Sequence, residues 1–199
     1  MNVHSWIESM PDSDKRQRIL KAAEDLIAEV GFQGLSMSLL AQRADVAAGT
    51  IYRYFSDKNN LLDEVRLNAM RLVADEVQKG LDNQRDVKTR YHLVWHNIWR
   101  LAASNNSFYS IRLQYESLPC TDQYRQRQNE LQLFAGINKI FEDGKQQGLL
   151  KPLANEILAG LSFEASATIS RKAALGLYNL SADDIDAAFE ASWDAITLH

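Results

Sequence analysis

The stretch from Ser36 to Lys58, SMSLLAQRADVAAGTIYRYFSDK, constrains the fold more than any other part of the chain. It reads as two short helices joined by a tight turn, followed at once by the start of a third. Leu39, Leu40 and Ala44 give the first helix an apolar side. Ile51 and Phe55, one turn apart, do the same for the second. Thr50, Arg53 and Tyr54 are left to share the opposite face, at the i, i+3, i+4 spacing of helix neighbours. A helix pinned to a core by one side, and presenting hydroxyl, guanidinium and phenol on the other, suits a DNA groove.

The flanking segments continue the helical pattern. Asp14 and Gln17 form a helix-start pair. Ile19, Ala22, Ala23, Leu26, Ile27 and Val30 then recur along one helical face until Gly31, which stops the helix through a left-handed cap. Ser36 caps the next helix. Asp45 to Ala47 make the turn, and Ala48 to Phe55 form the third helix. A fourth starts at Ser56 or Asp57, with Leu61, Leu62, Val65, Ala69, Leu72, Val73 and Val77 inward and Gly80 near its end.

Further helices are expected over 87–103, 108–118, 121–148 and 155–175. The 121–148 helix carries Leu131, Phe134, Ile137 and Phe141. That over 155–175 is rich in small residues, which allow another helix to approach closely. The last helix opens on a Ser181–Asp184 capping box and carries Ile185, Ala188, Phe189, Ser192, Trp193 and Ile196. The expected class is all-α with about nine helices and no strand.

Composition fits an ordinary globular chain: 199 residues, 46% hydrophobic and 24% charged. The formal net charge of −4 does not by itself indicate nucleic acid, and the location of charge matters more. Cys120 is the only cysteine, so no intrachain disulfide forms, which fits a reducing cytosol and a cytoplasmic location. The opening MNVHSWIESMPDSD lacks the basic and apolar regions of a signal peptide, and no apolar run is long enough to span a membrane. There is no Gly-rich phosphate loop, nucleophile elbow or Cys/His cluster, so no enzymatic activity is expected.

Taken in order, ILKAAEDLIAEVGFQGLSMSLLAQRADV and GTIYRYFSDKNNLL resemble the tetracycline-repressor (TetR) family of bacterial transcriptional regulators. The specific match runs over residues 19–62; beyond it, only helix number and length are similar. The resemblance implies a helix-turn-helix DNA-binding domain over 1–58 and a helical ligand-binding and dimerisation domain over 59–199. It implies a ligand-responsive repressor that binds a pseudo-palindromic operator as a homodimer and is released by a small-molecule effector. The alternative is a DNA-binding adaptor whose C-terminal domain binds a protein partner.

Two positions depart from the family pattern. Asp45 stands where the turn usually has Gly, and Asp tolerates left-handed backbone better than most residues. Ala47 stands where the third helix usually starts with a hydroxyl residue, and Ala cannot cap.

By this resemblance Thr50, Arg53 and Tyr54 face the major groove or its walls, and Tyr52 reaches a phosphate. Lys58 lies in the first turn of the fourth helix, where a phosphate would also meet free N–H groups. Ser36 and Ser38 can donate to phosphate, and Ser36 can equally serve only as a cap. Trp95, Trp99, Phe108, Tyr115, Phe134 and Phe163 are candidates to line the ligand pocket, or are plain core; Phe141 is a further aromatic of this kind. Arg112 either meets a polar ligand group or pairs with Glu116. Phe189, Trp193 and Ile196 are candidate dimer anchors, or pack within the protomer. His92 and His96, one turn apart, can offer two ligands to a metal, but no third is evident; no metal or cofactor is expected. Cys120 is a redox-sensor candidate or an inert thiol.

Overall fold

The computed structural model describes residues 12–104 and 122–198. The all-α class holds: among the described residues the sole β pairing is an isolated bridge between Leu150 and Thr197. The chain divides into two units, the described residues 122–123 going with the first, and with a break between Ala69 and Met70. That break lies inside a helix, Lys58–Val77, whose start is the boundary read from the sequence.

The first unit contains α1 (Asp12–Gly34), α2 (Met37–Ala44), α3 (Ala48–Tyr54) and the first part of α4 (Lys58–Val77). They share one core, in which Ile19, Ala23, Leu40, Ile51, Phe55, Leu61 and Val65 are fully buried. α1 begins at Asp12, so Asp14 lies inside its first turn. Gly31 interrupts α1 with φ 71° and ψ 168°, a positive-φ backbone outside the left-handed helical region that glycine enters without penalty. After this break Leu35 enters the core, whereas Val30, expected inward, is 50% exposed. The Asn68 amide donates to the Glu24 carboxylate at 2.7 Å and ties α4 to α1.

The second unit contains the rest of α4, then α5 (Val87–Ala103), α6 (Gln123–Leu133), α7 (Ala135–Gln146), α8 (Asn155–Ala159), a π-helical turn (Gly160–Glu164), α9 (Ala165–Ala174) and α10 (Ala182–Ile196). Asp86 caps α5 by accepting from the Thr89 N–H at 2.9 Å. The core forms around α5. Tyr91 stacks on Phe163 with ring centroids 4.9 Å apart, and its hydroxyl meets that of Ser192 at 2.8 Å. The buried Arg90 guanidinium is neutralised by Asp143 at 2.8 Å. The Ser181–Asp184 capping box opens α10 as expected.

Several expectations are corrected. The single helix over 121–148 is two, broken at Phe134 (φ −101°, ψ 25°). The Gln78 side-chain amide donates to the Leu133 carbonyl at 2.8 Å, so the carbonyl next to the break has a partner. Gly136 permits this approach, because a Cβ there would stand 2.6 Å from the Gln78 Oε1. The helix over 155–175 carries a π turn, in which the Ser162 hydroxyl donates to the Leu158 carbonyl at 2.6 Å. Leu72, expected inward, is exposed, as is Leu131. The helix expected over 108–118 lies outside the described residues.

Phe189, Trp193 and Ile196 pack within their own protomer. Phe189 and Trp193 contact the Tyr91 ring at 5.9 and 5.0 Å, and the three side chains are only 6%, 9% and 0% exposed. Side chains so covered have almost no surface left to offer a second subunit.

Candidate nucleic-acid interface

α2 ends in a compact reversal. Asp45 adopts φ 52° and ψ 53°, the left-handed region, and its N–H returns to the Gln42 carbonyl at 3.3 Å. The Val46 N–H reaches the Ala41 carbonyl at 3.0 Å. This pair of bonds is a Schellman closure, completed by the packing of half-buried Val46 on the core. Arg18 donates to the Ala44 carbonyl at 2.7 Å, satisfying another terminal acceptor of α2. Asp45 therefore does the work that a glycine would do in the turn.

The entry to α2 is fixed by Ser36, whose hydroxyl accepts from the Leu39 N–H at 3.2 Å and lies 3.1 Å from the Ser38 hydroxyl. Both serines are exposed. Ser36 is thus a cap whose neighbouring hydroxyl is also on the surface. α3 starts at Ala47 with extended backbone and no side-chain cap, as its methyl group dictates.

The orientation of α3 follows from its two anchors. Ile51 and Phe55 are 0% exposed, so the outward arc is centred on the residues between them. Tyr52 and Arg53 are exposed, together with Ala48 and Gly49. Thr50 and Tyr54, one turn apart, are half-buried along one flank of this arc, opposite Tyr52. Tyr54 packs against the core, with its ring 6.5 Å from that of Phe55. The face read from the sequence as Thr50, Arg53 and Tyr54 is therefore rotated: Arg53 is at its centre, with Tyr52 beside it.

The arginines of this unit differ sharply in their freedom. Arg16 pairs with Glu64 and lies 5.4 Å over the Phe55 ring. Arg18 is bonded to the Ala44 carbonyl. Arg43 makes two 2.7 Å bonds to the Glu29 carboxylate, which hold that carboxyl below its usual range. Arg53, on the outward arc, makes no hydrogen bond or ion pair with a described residue.

Lys58 opens α4 behind Asp57, which accepts from the Asn60 N–H at 2.8 Å. This backbone bond and the Ser56 hydroxyl hold the Asp57 carboxyl below its usual range. The Lys58 ammonium donates to the Leu35 carbonyl at 2.6 Å, tying the start of α4 to the approach to α2. The Arg18, Arg16 and Lys58 tethers that set this geometry join residues far apart in sequence. No spacing rule reveals them.

In the second unit Trp95 and Phe163 are buried in the core, with Trp99 and Phe134 packed against it. Phe108, Arg112, Tyr115, Glu116 and Cys120 lie outside the described residues. The His92 and His96 rings are 4.0 Å apart, and His96 Nδ1 lies 2.9 Å from the His92 carbonyl oxygen. Burial, then the neighbouring His96, push the His92 pKa down. Among the described residues no group of three or more His, Cys, Asp or Glu is placed to hold a metal ion. None of the described helices is long and apolar enough to cross a membrane.

Residues 19–65 match the model of the tetR family of bacterial regulatory proteins. Residues 86–197 match that of a tetracyclin repressor-like C-terminal domain. An uncharacterized HTH-type transcriptional regulator of Haemophilus influenzae is 31% identical over 189 residues, covering 92% of this chain and 96% of that protein. A solved TetR-family transcriptional regulator of Vibrio parahaemolyticus is 53% identical and superposes with a TM-score of 0.86, covering 93% of this chain and 100% of that one. The solved FadR of Bacillus subtilis, in complex with stearoyl-CoA, shares the fold at 22% identity and a TM-score of 0.62, covering 89% of this chain and 95% of that one. With both parts of the chain matched and the Haemophilus relative spanning nearly all of it, this chain belongs to the TetR family of bacterial transcriptional regulators.

Proposed function

We propose that the protein is a cytoplasmic, ligand-responsive repressor that binds a pseudo-palindromic operator as a homodimer and is released by a small-molecule effector. One observation carries the DNA-binding part. α3 is pinned by Ile51 and Phe55 and turns Arg53, which has no partner among the described residues, outward next to the exposed Tyr52, while Arg16, Arg18 and Arg43 are spent on intramolecular contacts. A guanidinium held on a short, core-anchored helix is suited to the guanine edge in a major groove. Tyr52, Ser36, Ser38 and Lys58 contact phosphates, and Thr50 and Tyr54 contact a groove wall from one flank of α3.

The dimer forms through the outer face of α8, the π turn and α10. Ile157 and Leu161 are 50% and 47% exposed, and Ala187 and Ala191 are exposed on α10. A two-fold interface buries the same patch from each chain. The stearoyl-CoA complex of the Bacillus relative supports a small-molecule effector as a class. The effector favours a dimer whose α3 helices are wrongly spaced for DNA. To switch binding it must prefer that state by a few kcal/mol. The covalent route for the signal is α4, which begins in the first unit and ends in the second.

Selection of genomic fragments by the purified protein tests the reading. Enriched fragments should share a two-fold-symmetric sequence with half-sites about one helical turn, ~34 Å, or a multiple apart. Absence of any enriched sequence over competitor DNA, with and without candidate effectors, overturns it.

A further inference from the structure

We infer that Trp95 is the hydrogen-bond donor for the effector, and that the effector is an apolar molecule carrying an uncharged acceptor oxygen, as in a ketone, ester or ether. This rests on the reading above that the second unit binds a small molecule. Trp95 is 0% exposed, yet among the described residues its Nε1–H reaches no hydrogen-bond partner. A buried indole N–H ordinarily has an acceptor, because leaving it unpaired forfeits the hydration it had in water. Polar groups one turn to either side on α5 are satisfied. The Tyr91 hydroxyl is bonded to Ser192, and the Trp99 carbonyl accepts from the Ser170 hydroxyl at 2.8 Å. Arg90 and Arg171 also keep an unpaired buried N–H, but Arg90 is neutralised by Asp143 and Arg171 is half-exposed.

The surroundings of Trp95 define the chemistry that fits. Trp99 stacks on it with centroids 5.0 Å apart and planes 15° from parallel. Phe189 and His96 meet it edge-on at 5.5 and 5.0 Å. Lys88, the cation that reaches this cluster, lies over Phe189 and Trp193 and is paired with Glu190 at 3.1 Å. The Trp95 N–H satisfies one lone pair of an uncharged oxygen, and the other polar ring against it, His96, has its Nδ1 2.9 Å from the His92 carbonyl oxygen. A carboxylate buried there would need further donors or a cation. Trp99, stacked on the indole face, is only half-buried.

The test uses three probes of similar size on the full-length protein: 4-phenylbutan-2-one, butylbenzene and 3-phenylpropanoate. The chain has four tryptophans, so nitrogen-15 spectra resolve the Trp95 indole signal, assigned by Trp95→Phe. If that variant does not fold, Trp6→Phe, Trp99→Phe and Trp193→Phe assign it by elimination. The ketone should move the Trp95 N–H signal downfield and bind about tenfold tighter than butylbenzene, a preference absent in Trp95→Phe. The carboxylate should bind more weakly than the ketone. An unmoved Trp95 signal, equal affinity for ketone and hydrocarbon, or tightest binding of the carboxylate overturns the inference. DNA binding by the same sample separates the failures. If sequence-specific binding persists while Trp95 fails to respond, only the inference about the donor falls.

Discussion

Replacing Arg53 with alanine separates recognition from folding more cleanly than any other change in the first unit. The guanidinium is exposed and touches no described residue through a hydrogen bond or ion pair, so its removal breaks no hydrogen bond or ion pair among them. Stability should therefore change by no more than about 0.5 kcal/mol. If Arg53 makes a bidentate contact to guanine, binding to the operator weakens by ~1–3 kcal/mol, roughly 5- to 150-fold. The assay is fluorescence anisotropy with a labelled selected site and a scrambled duplex of equal length at fixed salt, alongside thermal melting by circular dichroism. The account predicts a large loss on the selected site, a small loss on the scrambled duplex and an unchanged melting point. An equal loss on both duplexes makes Arg53 a phosphate contact. Undiminished affinity, or a loss explained by a lower melting point, refutes the reasoning that places it in the groove.

Lys58→Ala should reduce the salt dependence of DNA binding by about one unit of slope. It should also lower the melting point, because the tether to the Leu35 carbonyl is lost; a lowered melting point with an unchanged slope would leave Lys58 as a tether alone. Ala47→Ser should stabilise the first unit by ~1 kcal/mol, since the extended backbone at Ala47 is ready for a hydroxyl cap and none is present; urea unfolding with no gain would show that the hydroxyl finds no N–H. Burial pushes the Tyr91 phenol up to about 12, against an ordinary value of 10.0, with Ser192 and Ser162 pulling it back. The unfolded chain then loses this proton first, so stability falls as pH rises from about 10 toward 12. Comparing urea midpoints at about pH 9 and about pH 11 should show a smaller fall in Tyr91→Phe than in the parent.

What periodicity and local chemistry determine was legible in the sequence. The Ser36 and Ser181 caps, the left-handed Asp45 and the anchoring pair Ile51–Phe55 all appear where short-range rules place them. What depends on distant partners was not. The break at Phe134 lies beside a carbonyl bonded by Gln78, outside 121–148, and the one local signal is Gly136, whose lack of a side chain lets Gln78 approach. Periodicity marks the inner face of α10 correctly, but the same pattern serves a partner subunit or the protomer's own α5. The Tyr91–Phe189 and Tyr91–Trp193 ring contacts decide for the protomer. On α3 the exposed side differs from the face read in the sequence by a rotation of one residue. Helical spacing located the side opposite Ile51, but not that core packing covers part of Tyr54.

The central claim is that an outward arc of α3 from each of two subunits enters a major groove. Methylation interference at guanine N7 tests it most directly, because that atom lies on the major-groove edge. On a selected fragment the account predicts two clusters of interfering guanines, symmetric about a centre and about one helical turn, ~34 Å, or a multiple apart. In Arg53→Ala, the guanine facing Arg53 should drop out of each cluster. Strong binding to the fragment with no interference at any guanine N7 would contradict the account.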